Sequence, residues 1–259
     1  MDATFRAARK QGRAAIIPYF VAGYPSFRRL REFLWESSEA GVSLIELGLP
    51  FSDPVADGPT LQVAIHDALR NGVTVHKTLD FVRSLRKEGF VTPILGMTYA
   101  NLLFAPGYAP AARSWAEAGL DGAIIPDVPV EESAGMKLAL RAAGLATVSF
   151  ASPGTGRGRL HAALRQRDSF LYLVAVYGTT GARAGIAPET RLLLSSARRA
   201  RPGKRPPLCV GFGVSRPDHV SGLHRLGADG VILGSAIAQR IQAGRPLRPY
   251  LSSLVRAAR

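Results

Sequence analysis

The sequence is poor in cysteine, in lysine and in long apolar runs, and each shortage excludes a class of protein. Cys209 is the one cysteine among 259 residues, so no internal disulfide can form. No apolar run reaches the roughly 18 residues that a membrane-spanning helix needs. The opening residues are polar and helical in pattern, unlike a signal peptide. We therefore expect a cytoplasmic protein without membrane segments.

Acidic residues are scarce as well, and the 33 basic against 19 acidic residues give a formal charge of +14. Such a charge is compatible with nucleic-acid binding, but no stacking motif or known nucleic-acid module accompanies it. A bias towards arginine on solvent-facing helices explains the charge better, so we expect no nucleic-acid partner. An anionic substrate would still be attracted by this field. The arginines are scattered, with local clusters at 157–167 and 198–205.

Several catalytic arrangements are missing. The five histidines fall on predicted helices or their flanks and form no metal-ligand cluster, so we expect no metal and no cofactor. None of the five lysines lies at a predicted strand end, which argues against a Schiff-base mechanism. There is no GxSxG elbow, and Cys209 has no evident catalytic partner. General acid–base chemistry by carboxylates remains.

A strand–loop–helix cycle repeats about eight times along the chain. The joints 40–47, 118–125 and 226–233 look alike, since in each a glycine ends a helix and a short apolar strand follows. Short apolar strands alternating with helices predict a parallel sheet covered by helices. Eight units in this length favour an α/β fold of the closed (β/α)8 barrel type, formed as a single domain over residues 1–259.

The glycine, proline and capping signals predict the bounds of the elements. An extra helix precedes the first strand, and a short phosphate-binding helix follows the eighth. We predict strands at 14–21, 44–47, 93–99, 122–126, 146–150, 170–174, 207–210 and 230–233. We predict helices at 3–11, 26–40, 59–70, 75–88, 107–118 and 156–166, and others opening at Glu131, Pro188, Ser215, Gly234 and Pro246.

The stretch from Leu44 to Gly58, LIELGLPFSDPVADG, is the most informative part of the chain. It begins as a strand and becomes a loop stiffened by proline and glycine, and it carries Glu46, Asp53 and Asp57. A carboxylate inside an apolar strand is costly to bury unless it has a partner or a task. Burial would raise the pKa of Glu46 and suit it to moving protons, whereas Asp57 on the loop would stay ionised.

Active sites of (β/α)8 barrels lie at the carboxyl ends of the strands, so the remaining acids can be sorted by position. Asp127 follows the fourth predicted strand and is a further candidate. Asp121 and Asp229 precede strands at the opposite face, and we interpret them as structural caps.

Glycine-rich loops follow the sixth, seventh and eighth predicted strands. Glycine lets backbone N–H groups approach an anion closely, and Ser235 opens a short helix whose N-terminus favours phosphate. The loops therefore predict a phosphate site. The inner wall between this site and the carboxylates is expected to include Tyr19, Leu49, Phe51, Met97, Tyr99, Ile124, Tyr172 and Phe212. A carboxylate acid–base enzyme acting on a small phosphorylated molecule follows from these residues.

LIELGLPFSDPVADGPT is similar to the signature of the tryptophan synthase alpha subunit family. YANLLF (99–104), PDVPVEES (126–133), TTGAR (179–183), GFGV (211–214) and GSAI (234–237) follow in that family's order and spacing. The resemblance implies a (β/α)8 lyase that cleaves indole-3-glycerol phosphate to indole and glyceraldehyde 3-phosphate. It also implies a pyridoxal-phosphate beta subunit as partner in an alpha2beta2 complex.

The same resemblance implies roles for individual residues. Glu46 looks like the acid–base residue, and Asp57 resembles the group that stabilises positive charge on the indole nitrogen. The matching pocket residues are Tyr19, Tyr99, Tyr172, Thr180 and Phe212, where Tyr19 replaces a frequent phenylalanine. The phosphate binders correspond to Gly181, Gly211, Gly213, Gly234 and Ser235. The partner interface corresponds to Pro50, Asp53 and Asn101.

Two alternatives to the alpha-subunit lyase stay open at this stage. One is a stand-alone indole-3-glycerol-phosphate lyase of secondary metabolism. The other is a catalytically silent homologue that only binds and activates a partner. The presence of Glu46, Asp57 and Thr180 argues against a catalytically silent homologue. Measuring indole release with and without a beta subunit separates the three hypotheses.

Overall fold

A computed structural model describes residues 2–175, 186–200, 205–211 and 213–259. Eight parallel strands form a closed barrel in chain order, with β1 paired to β8 through Ala15 and Gly230. The predicted (β/α)8 fold is confirmed. The strands are β1 Ala15–Val21, β2 Ile45–Gly48, β3 Ile94–Met97, β4 Gly122–Ile124, β5 Ala146–Ala151, β6 Phe170–Val174, β7 Leu208–Gly211 and β8 Gly230–Leu233.

Helices cover the outside of the barrel. In chain order they are α1 Asp2–Lys10, α2 Phe27–Glu39, α3 Pro59–Arg70, α4 Val75–Lys87, α5 Ala100–Phe104, α6 Tyr108–Ala118, α7 Ala134–Ala142, α8 Arg157–Arg165, α9 Pro188–Ala200, α10 Pro217–Arg225, α11 Ser235–Gln242 and α12 Arg248–Ala257. None of these helices is long and apolar enough to cross a membrane.

Local sequence signals explain most of the helix ends. Ser26 and Thr74 accept hydrogen bonds from the backbone N–H groups of the third residue beyond them, as N-caps do. The glycines of the three similar joints, Gly41, Gly119 and Gly227, all have positive φ values between 84° and 93°. This left-handed backbone is easy for glycine and strained for other residues, so each helix ends there.

Two predicted helix starts are wrong, and one short helix is missing from the prediction. The helix expected to open at Glu131 begins at Ala134, because Pro129 to Glu132 close a turn with a hydrogen bond of 3.0 Å. The helix expected at Ser215 begins at Pro217, which is favoured in the first helical turn. Helix α5 was not predicted, since its five residues are too few to show a period.

The core has two layers. Inside the barrel, residues such as Ile17, Leu95 and Ile232 point inward and are at most 2% exposed. Outside it, the opposite faces of the strands pack on apolar helix faces. Strands buried on both sides explain why their sequences are continuously apolar. Helix α1 contributes Phe5, whose ring centroid lies 5.8 Å from that of Phe170, and so covers the amino ends of the strands.

The two acids expected to be structural lie at the amino ends of strands. Asp121 accepts a hydrogen bond of 2.8 Å from the Ile94 backbone N–H and pairs with Arg86. Asp229 accepts one of 2.9 Å from the Leu208 N–H. Both interpretations are confirmed, because each carboxylate accepts a hydrogen bond from the backbone N–H group of the first residue of a strand.

A buried ion pair joins the barrel to its outer helices. Lys137 of α7 lies 2.7 Å from Asp168, and both side chains are nearly inaccessible to solvent. The same ammonium group donates to Ser149 at 2.6 Å, and Thr147 donates to Asp168 at 2.6 Å. Burial lowers the pKa of Lys137, and the Asp168 carboxylate opposes this effect. Nothing in the sequence pattern of α7 predicts a buried lysine.

Candidate active site

A cavity of about 260 Å³ opens at the carboxyl ends of the strands. Both predicted catalytic acids, Glu46 and Asp57, line it. The rest of its wall comes from the strands and from the loops and helix starts that follow them. These residues are Tyr19, Gly58, Leu61, Met97, Tyr172, Gly213, Val214, Ser215, Ile232, Gly234, Ser235, Ala236 and Gln239.

Glu46 lies inside the barrel wall. Its place in β2 pairs it with Tyr19 of β1 and Leu95 of β3, and the residue is 1% exposed. Its Oε1 atom makes no hydrogen bond to any described residue. Desolvation, and then the charge of Asp57, raise the pKa of Glu46 to about 8. The predicted upward shift is confirmed, and the carboxyl group is suited to exchange protons near neutral pH.

Tyr19 pairs with Glu46 in the register of β1 and β2, and its ring lies beside Gly48, closer to the carboxyl end of β2. Gly48 lies two residues beyond Glu46 and therefore faces the same side of β2. A Cβ atom on Gly48 would collide with the Tyr19 hydroxyl and ring. The absent side chain thus leaves the space that the phenol fills.

Asp57 is held by a loop that is fixed at several points. Its backbone N–H donates to Pro54 O at 3.0 Å, and the Gln62 side chain donates to its carbonyl oxygen at 2.9 Å. The Tyr99 hydroxyl donates to Asp57 Oδ2 at 2.6 Å and accepts from the Ala56 N–H at 3.0 Å. Burial raises the pKa of Asp57, and the hydrogen bond from Tyr99 lowers it. The loop residue is more buried than its sequence suggests.

The other pocket tyrosines occupy two different positions. Tyr172 lines the cavity and stacks on Phe150, with ring centroids 5.0 Å apart. Tyr99 lies behind Asp57 and is absent from the lining of the cavity. It therefore contacts the acid and not the cavity.

Of the residues predicted to bind phosphate, some line the cavity and others do not. Gly213, Gly234 and Ser235 line the cavity. Gly213 has φ of +72°, a turn conformation that glycine adopts most easily. Gly211 lies in β7, outside the lining, and a Cβ atom there would collide with Tyr172. Thr180, Gly181 and Phe212 lie outside the described residues.

Two helix starts border the cavity near these glycines. Helix α11 begins at Ser235, and α3 begins at Pro59 directly after the lining residue Gly58. The first N–H groups of a helix have no intrahelical acceptor, and the helix dipole is positive there. The sequence predicts both helices, with Pro59 marking the first turn of α3, but it indicates an anion site only at the start of α11.

The remaining candidates lie outside the cavity. Asp127 accepts hydrogen bonds of 3.0 and 3.1 Å from the Ala100 N–H and so caps α5. Asp53 and Asn101 are exposed, whereas Pro50 is buried. In the described part of the chain, no three or more His, Cys, Asp or Glu side chains are grouped to hold a metal ion.

Comparisons with known proteins agree with the geometry. The family model described as "Tryptophan synthase alpha chain" matches residues 5–253. The chain is 39% identical over 252 residues to the tryptophan synthase alpha chain of Methanosarcina mazei, covering 97% of this chain and 90% of the relative. It is 40% identical over 243 residues to that of Chloroflexus aggregans, covering 94% and 90%.

Solved structures show the same similarity in three dimensions. Tryptophan synthase from M. tuberculosis in an aminoacrylate-bound form superposes with a TM-score of 0.87 at 30% identity, covering 99% of this chain and 98% of that one. Tryptophan synthase subunit alpha from Legionella pneumophila gives 0.86 at 29% identity, covering 99% and 97%.

Proposed function

The chain belongs to the tryptophan synthase alpha chain family, a family of lyases in tryptophan biosynthesis, and we propose that Glu46 and Asp57 carry out its carbon–carbon cleavage by acid–base catalysis. The observation that carries the proposal is the presence of both carboxyl groups in one small cavity, where Glu46 is desolvated and has a raised pKa. The substrate is indole-3-glycerol phosphate, and the cleavage is of the retro-aldol, aldehyde-lyase type.

The proposed reaction needs one proton donor and acceptor and one fixed negative charge. Protonated Glu46 delivers its proton to indole C3, which leaves a positive charge on the indole nitrogen that the Asp57 carboxylate stabilises. The Glu46 carboxylate then takes the proton of the side-chain hydroxyl. The bond from C3 to the side chain breaks, its electrons return to the ring, and the hydroxyl carbon becomes an aldehyde. Glu46 ends protonated, so indole and glyceraldehyde 3-phosphate account for every atom.

The phosphate group would bind at the other side of the cavity. The N-terminus of α11, with Gly213, Gly234 and Ser235 around it, supplies backbone donors and a positive dipole. Gly181 and Gly211 remain predicted phosphate binders, and Thr180 and Phe212 remain predicted pocket residues. Tyr172 and Met97 would contact the part of the substrate between the phosphate and the carboxyl groups.

A beta chain is the proposed partner. Val55 and Phe104, large apolar side chains exposed to 71% and 68%, lie on the same segments as the predicted interface residues Asp53 and Asn101. Both side chains would supply apolar contact area to a partner that binds these segments. Because this loop also carries Asp57, binding there would affect the active site.

The decisive experiment measures indole release from indole-3-glycerol phosphate by the purified chain. We expect release from the chain alone and a faster rate when a tryptophan synthase beta chain is added. No release under either condition would refute the lyase, whereas release that a beta chain leaves unchanged would refute the partner only.

A further inference from the structure

A groove lined by arginines lies on the outer surface of the barrel, away from the substrate cavity. Its volume is about 650 Å³. The groove is bordered by α9, by Arg205 shortly before β7, and by the C-terminal end of α10. Among the described residues, no carboxylate lines it. The lining residues are Arg191, Ser195, Arg198, Arg199, Arg205, Arg225 and Leu226. Because α9 follows β6, its end is directed to the amino ends of the strands, opposite the active site.

The charges in this arginine groove are mostly uncompensated. Arg205 forms an ion pair with Asp229. Arg199 and Arg225 make no hydrogen bond or ion pair with any described residue. Both are exposed at the last turns of α9 and α10. Their guanidinium groups are therefore available to a ligand.

Two further arginines bond only to neutral groups. Arg198 donates to Leu226 O at 3.0 Å, and Arg191 donates to Ile186 O at 3.2 Å. These hydrogen bonds orient the side chains without neutralising them. A Cβ atom on Gly227 would collide with the Arg198 guanidinium, so the glycine also leaves space for that group.

Helix dipoles do not account for this amount of charge. Each helix C-terminus is equivalent to roughly half a negative charge, so two ends supply about one. Four arginines without a carboxylate partner carry four positive charges, so the two helix ends reduce the net charge of the groove only to about +3. Like charges held together in a concave groove repel one another, and an anion would remove this cost.

The groove fits a particular class of anion. A planar guanidinium group donates two parallel hydrogen bonds to a phosphate, and Ser195 adds a hydroxyl donor. The volume is that of a small-molecule site, and the described lining residues include no aromatic side chain that could stack on bases. We propose that the arginine groove binds a small anion carrying two or three linked phosphates.

The binding test uses inorganic triphosphate as the probe and isothermal titration calorimetry of the full chain. We expect saturable binding at low ionic strength that weakens about tenfold or more when salt is raised above physiological strength, because the contacts are exposed charges. Absence of binding at low ionic strength would overturn the proposal.

Variants assign the site. We expect Arg199→Gln together with Arg225→Gln to weaken triphosphate binding at least about tenfold, since two charge-assisted contacts are lost. The matched control, Arg70→Gln with Arg113→Gln, removes the same charge from exposed positions elsewhere and should change affinity less than about twofold. Indole release should be equal in all three proteins, because none of these arginines lines the cavity.

Other outcomes reject the proposal. Equal affinity in the wild type and the Arg199→Gln, Arg225→Gln variant would place the triphosphate elsewhere, for example in the substrate cavity. Equal losses in the variant and its control would indicate a general charge effect. Tight binding of single-stranded DNA that triphosphate fails to displace would identify a nucleic-acid surface instead. Single substitutions at Arg199 and Arg225 provide the same comparison if the double variant is unstable.

Discussion

The Tyr99 hydroxyl donates a hydrogen bond of 2.6 Å to Asp57 Oδ2, and this contact connects the end of β3 to the loop after β2. The same hydroxyl accepts from the Ala56 N–H, and the Phe51 and Tyr99 ring centroids lie 5.4 Å apart. Asp57 is therefore fixed by a residue 42 positions away. In the proposed mechanism, Tyr99 is a positioning residue that orients the carboxylate and favours its ionised form.

Replacing Tyr99 by phenylalanine tests this role. Loss of the hydrogen bond should raise the pKa of Asp57, so the acid limb of the kcat profile should move to higher pH. We expect kcat to fall about tenfold, less than the roughly 100-fold or greater loss for Asp57→Asn, because the charge itself remains. Tyr108→Phe, at a residue outside the cavity, is the control. An unshifted pH profile would contradict the positioning role.

Glu46→Gln should remove the proton donor and acceptor while keeping the shape of the site. We expect the rate of indole release to fall by roughly 100- to 10,000-fold, the usual contribution of general acid–base catalysis. Binding of glycerol 3-phosphate, measured by calorimetry, should persist because its site lies across the cavity. Glu117→Gln on the exposed face of α6 is the matched control. Turnover near the wild-type rate would exclude Glu46 as the catalytic acid.

The raised pKa of Glu46 also predicts how stability depends on pH. Between the unfolded value of 4.5 and the folded value of about 8, the folded protein holds a proton that the unfolded chain releases. The free energy of unfolding should therefore fall as pH rises through this window, by at most about 1.4 kcal/mol per pH unit from this group. The activity should also fall above pH 8, where Glu46 loses its proton.

Denaturant unfolding of the wild type and Glu46→Gln at several pH values checks the stability prediction. Glutamine does not titrate, so the variant should lack this component and gain stability relative to the wild type as the solution becomes more alkaline. Parallel pH dependence in the two proteins would mean that Glu46 does not titrate as described.

Gly48→Ala should disturb the active site through Tyr19. The new methyl group would occupy the space of the phenol, so the Tyr19 ring must move within the active site. Overpacking of this kind costs about 1–3 kcal/mol of unfolding free energy, and exposure of Glu46 to water should lower its pKa. We expect a loss of activity larger than that of Gly135→Ala, a helical glycine with open space around its Cβ position. Wild-type activity in Gly48→Ala would show that the ring can relocate without effect.

Lys137→Met should reduce stability without a direct effect on catalysis. It removes one of the two cations that pair with the buried Asp168 carboxylate, and Arg141 remains 3.1 Å from that group. We therefore expect a loss smaller than the about 3–5 kcal/mol of a fully broken buried pair. Replacing both residues, Lys137→Met with Asp168→Leu, should recover part of this loss because the buried carboxylate is removed as well, and the Arg141 side chain that remains is partly exposed to water. Denaturant unfolding measures the free energies. A double variant less stable than the single one would contradict this account.

The sequence by itself determined the repeating architecture and the identity of the main candidate residues of the site. Apolar strands, capped helices and glycines such as Gly41 and Gly119 act within a few residues, so their pattern predicts where each element begins and ends. Glu46 was recognisable for the same reason, since a carboxylate stands out in an apolar strand. Asp57 and Ser235 were recognisable from the loop and the helix start that carry them, and the family signature assigned the same residues.

Only the tertiary structure decided which of these residues meet. Tyr99 contacts Asp57, Tyr19 fills the space beside Gly48, and Lys137 pairs with Asp168. Each contact depends on how neighbouring strands align and on how helices pack over them. The spacing of apolar residues along the chain predicts neither the alignment nor the packing. The burial that raises the pKa of Glu46 is likewise a property of the closed barrel, because water is excluded only when all eight strands have assembled around that carboxyl group.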